Sequence, residues 1–165
     1  MRIACTMSPG RGSTDLVMQA AVAQLLARGL RLAGTVQTNS ERAGDPRCDM
    51  DVRVLPDGPV FRISQDLGRD ARGCRLDPEG LESAVAAVSA VMATDRPDLL
   101  VVNKFGKHEC LGRGFRPVIA EAVALGIPVL VGVNALNLAE LQAFVGGGLT
   151  VLPPDPEAVL RWLAL

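Results

Sequence analysis

An apolar run at residues 3–7, a glycine-rich loop Gly10-Arg11-Gly12-Ser13-Thr14-Asp15, and then Met18, Val22, Leu25 and Leu26 at helical spacing make a strand, a loop and a helix in that order. Gly29 supplies a left-handed stop, and residues 30–37 read as the next strand, which completes a β-α-β unit. This constrains the fold more than any other feature of the chain. A strand that returns through a helix must lie parallel to the first, and the right-handed crossover leaves few topologies open.

The rhythm resumes in the second half. Asp77-Pro78 is a cap followed by proline at the first helical position, and Leu81, Ala84, Val85, Val88, Val91 and Met92 trace one face. Residues 99–102, Leu-Leu-Val-Val, form a continuously apolar strand of the kind that is covered on both faces. A helix at 116–125 leads through Gly126 to a strand at 127–133. A helix at 134–145, a strand at 149–152 and a helix capped by Asp155-Pro156 and running to Trp162 follow. Residues 38–51 read as a long polar stretch broken by Gly44 and Pro46, and residues 52–55 and 60–63 as a short hairpin about Pro56-Asp57-Gly58-Pro59. The expected fold is a single α/β domain over residues 1–165. It is a three-layer α/β/α, doubly wound, mostly parallel sheet with a short hairpin insertion.

Composition narrows the function. With 165 residues, 48% of them hydrophobic, the chain can bury a substantial core, but aromatics are only 3%, so base-stacking surfaces for single-stranded nucleic acid are not expected. A net charge of −1 gives no basic field for duplex DNA or an anionic membrane. No targeting or membrane-inserting run is visible, and the protein is expected to be cytoplasmic. There Cys5, Cys48, Cys74 and Cys110 would be reduced thiols, and none of their spacings suits a structural zinc. Cys48 and Cys74 lie in arginine-containing polar loops and are the candidates for a soft-metal or redox site.

Ligands of open α/β sheets gather at the carboxyl ends of the strands, where Gly10-Arg11-Gly12, Arg72-Gly73 and Gly112-Arg113-Gly114 fall. In the pattern GxxxxGK[ST], Gly12 is the second glycine and Thr14 the magnesium hydroxyl. Ser13 stands where the lysine belongs and Met7 where the first glycine belongs. An anion could be held by the amides of Gly12, Ser13 and Thr14 with Arg11 in place of the lysine. One of Ser13, Thr14 and Asp15 is expected to cap the helix. Asp15 would repel an anion unless it faces away or binds through a metal.

The chain has only two lysines, Lys104 and Lys107, both in Asn103-Lys104-Phe105-Gly106-Lys107-His108-Glu109. A P-loop hydrolase ends this strand in an acid that holds magnesium or positions water. Asn103 and Lys104 stand there instead. The letters Asn-Lys also open the guanine-reading motif Asn-Lys-x-Asp, but Gly106 replaces its aspartate. His108, Glu109 and Asp15 are the candidate catalytic groups, and Glu109 is the remaining acid that could coordinate magnesium. The candidate ligand-binding set is Gly10, Arg11, Gly12, Ser13, Thr14, Arg72, Asn103, Lys104, Lys107 and Arg113.

Gly10-Arg11-Gly12-x-x-Asp15, Arg47-Cys48-Asp49-Met50-Asp51, Ile63-Ser64-Gln65, Arg72-Gly73-Cys74-Arg75-Leu76-Asp77, Asn103-Lys104-Phe105-Gly106-Lys107 and Gly112-Arg113-Gly114-Phe115 together resemble a bacterial family of unknown function. The resemblance covers nearly the whole chain. It implies a nucleoside-triphosphatase-like P-loop fold and, because genes of that family tend to lie near molybdate-uptake or molybdenum-enzyme genes, a role with molybdenum. The chain is more distantly similar to THEP-type nucleoside triphosphatases, whose strand ends Asp-Glu-x-Gly-x-x-Glu. Gly106 and Glu109 match that pattern, whereas Asn103, Lys104 and Ser13 depart from it.

The leading expectation is a phosphate-, nucleotide- or oxyanion-binding protein with a degenerate P-loop, an accessory factor rather than an efficient triphosphatase. A nucleotide, with or without magnesium, is the cofactor to consider. A divergent magnesium-dependent triphosphatase or kinase stays open, as does a protein-interaction module on a decayed scaffold, and so does a homodimer or protein partner.

Overall fold

In the computed structural model, which describes residues 1–68 and 75–165, strands and helices alternate as the apolar patterning requires. The elements are β1 (Ile3–Thr6), α1 (Ser13–Ala27), β2 (Leu32–Arg42), β3 (Asp45–Val54), β4 (Val60–Arg62), α2 (Pro78–Thr94), β5 (Leu99–Phe105), α3 (Lys107–Cys110), α4 (Arg116–Ala124), β6 (Val129–Val133), α5 (Leu138–Val145), β7 (Leu149–Leu152) and α6 (Pro156–Leu163). One sheet runs in the order β4-β3-β2-β5-β6-β1-β7. Strands β2, β5, β6, β1 and β7 are parallel, and β3 and β4 add on antiparallel at one edge.

Successive residues of a strand point to opposite faces, and β5 feeds both cores in this way. Leu99 and Val101 pack with Met18 and Leu25 of α1 and Val159 and Leu160 of α6. Leu100 and Val102 pack on the other side with Val85 and Val88 of α2, Ile119 of α4 and Leu141 of α5. These are the three layers, and burial on both faces is why β5 reads as an unbroken apolar run. Gly34 lets β2 lie close against β5, for a Cβ there would sit 1.8 Å from the Val101 carbonyl oxygen.

The structure corrects the sequence expectation at residues 38–51. These are the continuation of β2 and most of β3, paired as a long antiparallel hairpin from Thr35↔Val54 to Arg42↔Asp45, with Gly44 at φ 72° in the turn. Pro46 falls at the register shift between the pairs Glu41↔Cys48 and Arg42↔Asp45, where it has no partner in the β2 ladder. Backbone pairing holds the outer part of the arm, and ion pairs add to it. Arg42 pairs with Asp45, Asp49 and Asp66, and Arg47 pairs with Asp45.

Three further boundaries differ. β5 continues past Val102 to Phe105, with a bulge against β6 that places Lys104 between the pairs Asn103↔Gly132 and Phe105↔Val133. Residues 107–110, expected as loop, form the short helix α3. α5 starts at Leu138 rather than at residue 134, because the Asn134 side chain accepts from the Asn137 amide and closes a turn ahead of it. Asp77 and Asp155 cap α2 and α6 as the Asp-Pro pairs predict.

Candidate functional site

β1 delivers the chain to a loop that turns directly into α1. Gly12, at φ 75°, is the N-cap, and no side chain caps the helix. This corrects the expectation that Ser13, Thr14 or Asp15 would do so. Thr14 turns back instead, and its Oγ1 accepts from the Ser8 amide at 2.9 Å, which closes the loop mouth. A Cβ on Gly10 would lie 2.9 Å from Ser13 Oγ, so the Ser13 hydroxyl folds inward over the loop. A Cβ on Gly12 would lie 3.4 Å from Asn39 Nδ2, so glycine here also permits close approach of β2.

Asp15 is 2% exposed and does not face away. Its Oδ2 accepts from Asn39 Nδ2 at 2.6 Å. The Asn103 amide, oriented to satisfy both neighbours, donates to Asp15 Oδ1 at 3.0 Å and accepts from the Gln37 backbone amide at 2.9 Å. Gln37 Nε2 in turn donates to Asn39 Oδ1 at 2.8 Å. The Lys104 ammonium stands 3.9 Å from Asp15 Oδ2. The carboxylate is thus held by two amides and faced by one cation.

Asp15 thus stands in the first turn of α1, and Lys104 faces it from β5.

A cavity of about 260 Å³ opens beside this network, lined by Arg11, Gly12, Asp15, Gln37, Asn39, Cys48, Met50, Arg75 and Lys104. Arg11 is exposed and reaches across it, its Nη1 donating to the Pro46 carbonyl at 3.2 Å. Arg75 is fixed by donating from Nη1 to the Cys48 carbonyl at 3.2 Å and from Nε to the Gln65 carbonyl at 3.3 Å. Its Nη2 is buried with no hydrogen-bond partner. A buried charged donor left unpaired is costly, and an anionic acceptor in the cavity would relieve it.

The other predicted site residues are distributed as follows. Asn103, Lys104, Lys107, His108 and Glu109 line a second cavity of about 400 Å³ that shares Gln37, Met50, Arg75 and Lys104 with the first. His108 is buried, and its Nε2 lies 3.1 Å from Glu82 Oε1, which also accepts from the Gly114 amide. Glu109 is 2% exposed, and both carboxylate oxygens are engaged, Oε2 by the Gly106 amide at 2.9 Å and Oε1 by the Phe115 amide at 3.1 Å. Burial pushes its carboxyl pKa up against the pull of those bonds. The carboxylate is therefore committed to bracing α3 against the start of α4.

Arg113 is exposed and lines neither cavity. Cys48 lines the smaller cavity, whereas Arg72 and Cys74 lie outside the described residues. Among the described residues no cluster of three or more His, Cys, Asp or Glu could hold a metal ion.

Sequence reasoning did not select Gln37, Asn39 or Met50. Asn39 and Met50 lie on the stretch that read as polar connection, and Gln37 closes the strand read just before it. Arg75 was not selected either, and its bonds to the Cys48 and Gln65 carbonyls are what fix it against β3. Gln37 and Asn39 carried one usable signal. They are two residues apart and so share a face of a strand.

Fold and loop together define a P-loop NTPase-like α/β protein. The chain belongs to the family described as protein of unknown function DUF2478, whose model matches residues 3–162. It is 34% identical over 161 residues to the molybdenum import ATP-binding protein ModC 2 of Bradyrhizobium diazoefficiens, which covers 98% of this chain and 18% of that protein. It is 30% identical over 121 residues to the nucleoside-triphosphatase THEP1 of Thermotoga maritima, across 72% of this chain and 66% of that protein. The chain thus spans less than two thirds of either relative. No solved structure matches it significantly. Among the described residues, no helix is long and apolar enough to cross a membrane.

Proposed function

We propose that this protein binds a small anionic ligand, a nucleotide, phosphate or tetrahedral oxyanion, at the amino end of α1, and that its phosphate loop is degenerate. One observation carries this reading. Arg11, Arg75 and Lys104, from three separate elements, line one cavity in front of an uncapped helix terminus, and the Asp15 carboxylate beside them is already held by Asn39 and Asn103. The field at that point favours an anion.

Hydrolysis assisted by magnesium has less support. Its lysine position is Ser13, its acid position is Asn103-Lys104, and both oxygens of Glu109 are spoken for by backbone amides. The relative named for molybdenum import supports a cytoplasmic accessory role in molybdenum metabolism, with molybdate among the ligands to try.

Calorimetric titration of ATP, inorganic phosphate and molybdate, each with and without magnesium, tests the assignment. A charge-assisted hydrogen bond contributes about 1.5–3 kcal/mol, so Lys104→Ala or Arg11→Ala should weaken the bound ligand by roughly ten- to a hundredfold. Unchanged affinity in both variants would show that the site lies elsewhere.

A further inference from the structure

Asp15 is the group in the smaller cavity that the attraction of an anion leaves unused. Among the described residues lining that cavity, Arg11, Arg75 and Lys104 bring positive charge and Asp15 alone brings negative. Its side chain is 2% exposed. A carboxylate buried there opposes any anion that approaches, unless the anion brings a proton to it.

The carboxylate has acceptor capacity to spare. It offers about four lone-pair positions, of which Asn39 Nδ2 fills one on Oδ2 at 2.6 Å and the Asn103 amide one on Oδ1 at 3.0 Å. The Lys104 ammonium, 3.9 Å from Oδ2, is too far away to fill a third. Acceptors close by are taken by other donors, the Pro46 carbonyl by Arg11, the Cys48 carbonyl by Arg75 and Asn39 Oδ1 by Gln37 Nε2. A hydroxyl brought in by a ligand therefore finds its partner in Asp15.

Such an acceptor distinguishes oxyanions of one shape and one charge. In mildly alkaline buffer sulfate and molybdate are dianions without a proton, whereas hydrogen phosphate and hydrogen arsenate are tetrahedral dianions that keep a hydroxyl. Set beside Asp15, a proton-free oxyanion brings acceptor against acceptor and charge against like charge. The hydroxyl of hydrogen phosphate instead donates to an open lone pair in a charge-assisted bond. We propose that Asp15 makes the site selective for a tetrahedral oxyanion that keeps a proton, over proton-free oxyanions of the same charge. This rests on the anion site proposed above. Arg11, Arg75 and Lys104 attract both kinds of anion, and Asp15 chooses between them.

The experiment is calorimetry in mildly alkaline buffer with inorganic phosphate, arsenate, sulfate and molybdate, on the wild-type protein and on Asp15→Asn. Wild type should bind phosphate and arsenate about tenfold or more tightly than sulfate and molybdate. Asp15→Asn removes the charge, and it should tighten sulfate and molybdate until all four anions lie within about threefold of one another. A melting curve shows whether the variant folds. Where it does not, a crystal of the wild-type protein grown with phosphate answers the same question, with a phosphate oxygen expected about 2.5–2.7 Å from an Asp15 carboxylate oxygen. Equal binding of phosphate and sulfate by wild type, a folded Asp15→Asn that keeps the wild-type ranking, or bound phosphate out of contact with Asp15 would each overturn the selection and leave the anion site standing. If none of the four anions binds the wild-type protein, both fall.

Discussion

Replacing Glu109 by glutamine separates a bracing carboxylate from a catalytic one. In the wild-type protein Oε2 accepts from the Gly106 amide at 2.9 Å and Oε1 from the Phe115 amide at 3.1 Å, so one side chain ties the amino end of α3 to the start of α4. The bracket is tight, for a Cβ on Gly114 would sit 2.1 Å from Oε1. Glutamine offers an oxygen to one amide and turns its own NH2 toward the other, donor against donor. An unsatisfied buried donor costs about 1–3 kcal/mol, and removing a charge that burial disfavours returns part of it. The net expectation for Glu109→Gln is a loss of about 1–2 kcal/mol, which at about 2–4 °C per kcal/mol for a chain of this size lowers Tm by roughly 2–8 °C.

The pH dependence adds a second readout. Burial raises the Glu109 carboxyl above its ordinary 4.5, so the folded state holds this proton longer than the unfolded state does. Stability from this group is present below the unfolded value and is lost as pH rises through the folded one. The wild-type curve therefore carries a downward contribution above pH 4.5 that Glu109→Gln lacks. Scanning calorimetry at several pH values reads both effects, and phosphate titration should show less than about a threefold change in affinity. A variant as stable as wild type that loses ligand binding or nucleotide turnover would refute the reasoning and return Glu109 to the candidate chemistry.

Three other outcomes follow from the same geometry. Gly34→Ala drives a Cβ into the Val101 carbonyl at 1.8 Å and should cost more than about 4 kcal/mol, whereas Gly44→Ala, in open space at φ 72°, should cost about 1–2 kcal/mol; equal losses in urea denaturation would discount the close approach of β2 to β5. Thr14→Val removes the acceptor of the Ser8 amide, should lower stability by about 1 kcal/mol, and should weaken phosphate binding through loss of loop shape; unaltered phosphate affinity would show that the loop does not form the cradle. Burial pushes the Cys5 thiol up to about 11 from 9.0, so stability should decline as pH rises from 9 toward 11, by up to about 1.4 kcal/mol per unit, and Cys5→Ala should flatten that alkaline limb in thermal melts.

What the sequence discloses depends on which force holds each part. β5 and the helices around it are held by apolar burial, and burial leaves period and composition as its record, so Leu99–Val102 and the faces of α1 and α2 could be read directly. Residues 38–51 of the β2–β3 arm are held by backbone pairing and by Arg42 on Asp45 and Asp49. Backbone bonds and ion pairs leave no periodic trace, and residues 38–51 therefore looked like connection. The site divides in the same way. Arg11, Gly12, Asp15 and Lys104 could be selected because strand ends in open α/β sheets are where ligands collect. Gln37, Asn39 and Arg75 reach the same cavity only through pairing across the arm, a long-range fact that one sequence does not spell out.

That arm carries much of the cavity's outer wall, with Gln37 and Asn39 on β2 and Cys48 and Met50 on β3. A strand alternates with a period of two, and here Gln37 and Asn39 turn inward while Thr38 and Ser40 are exposed. One residue inserted between Thr35 and Val36 would present Val36 and Thr38 to Asp15 in their place. The parallel strands beneath, paired only up to Thr35, would keep their register. The lining of the proposed anion site can therefore change by a frame of one on a peripheral hairpin, while the parallel strands keep their places.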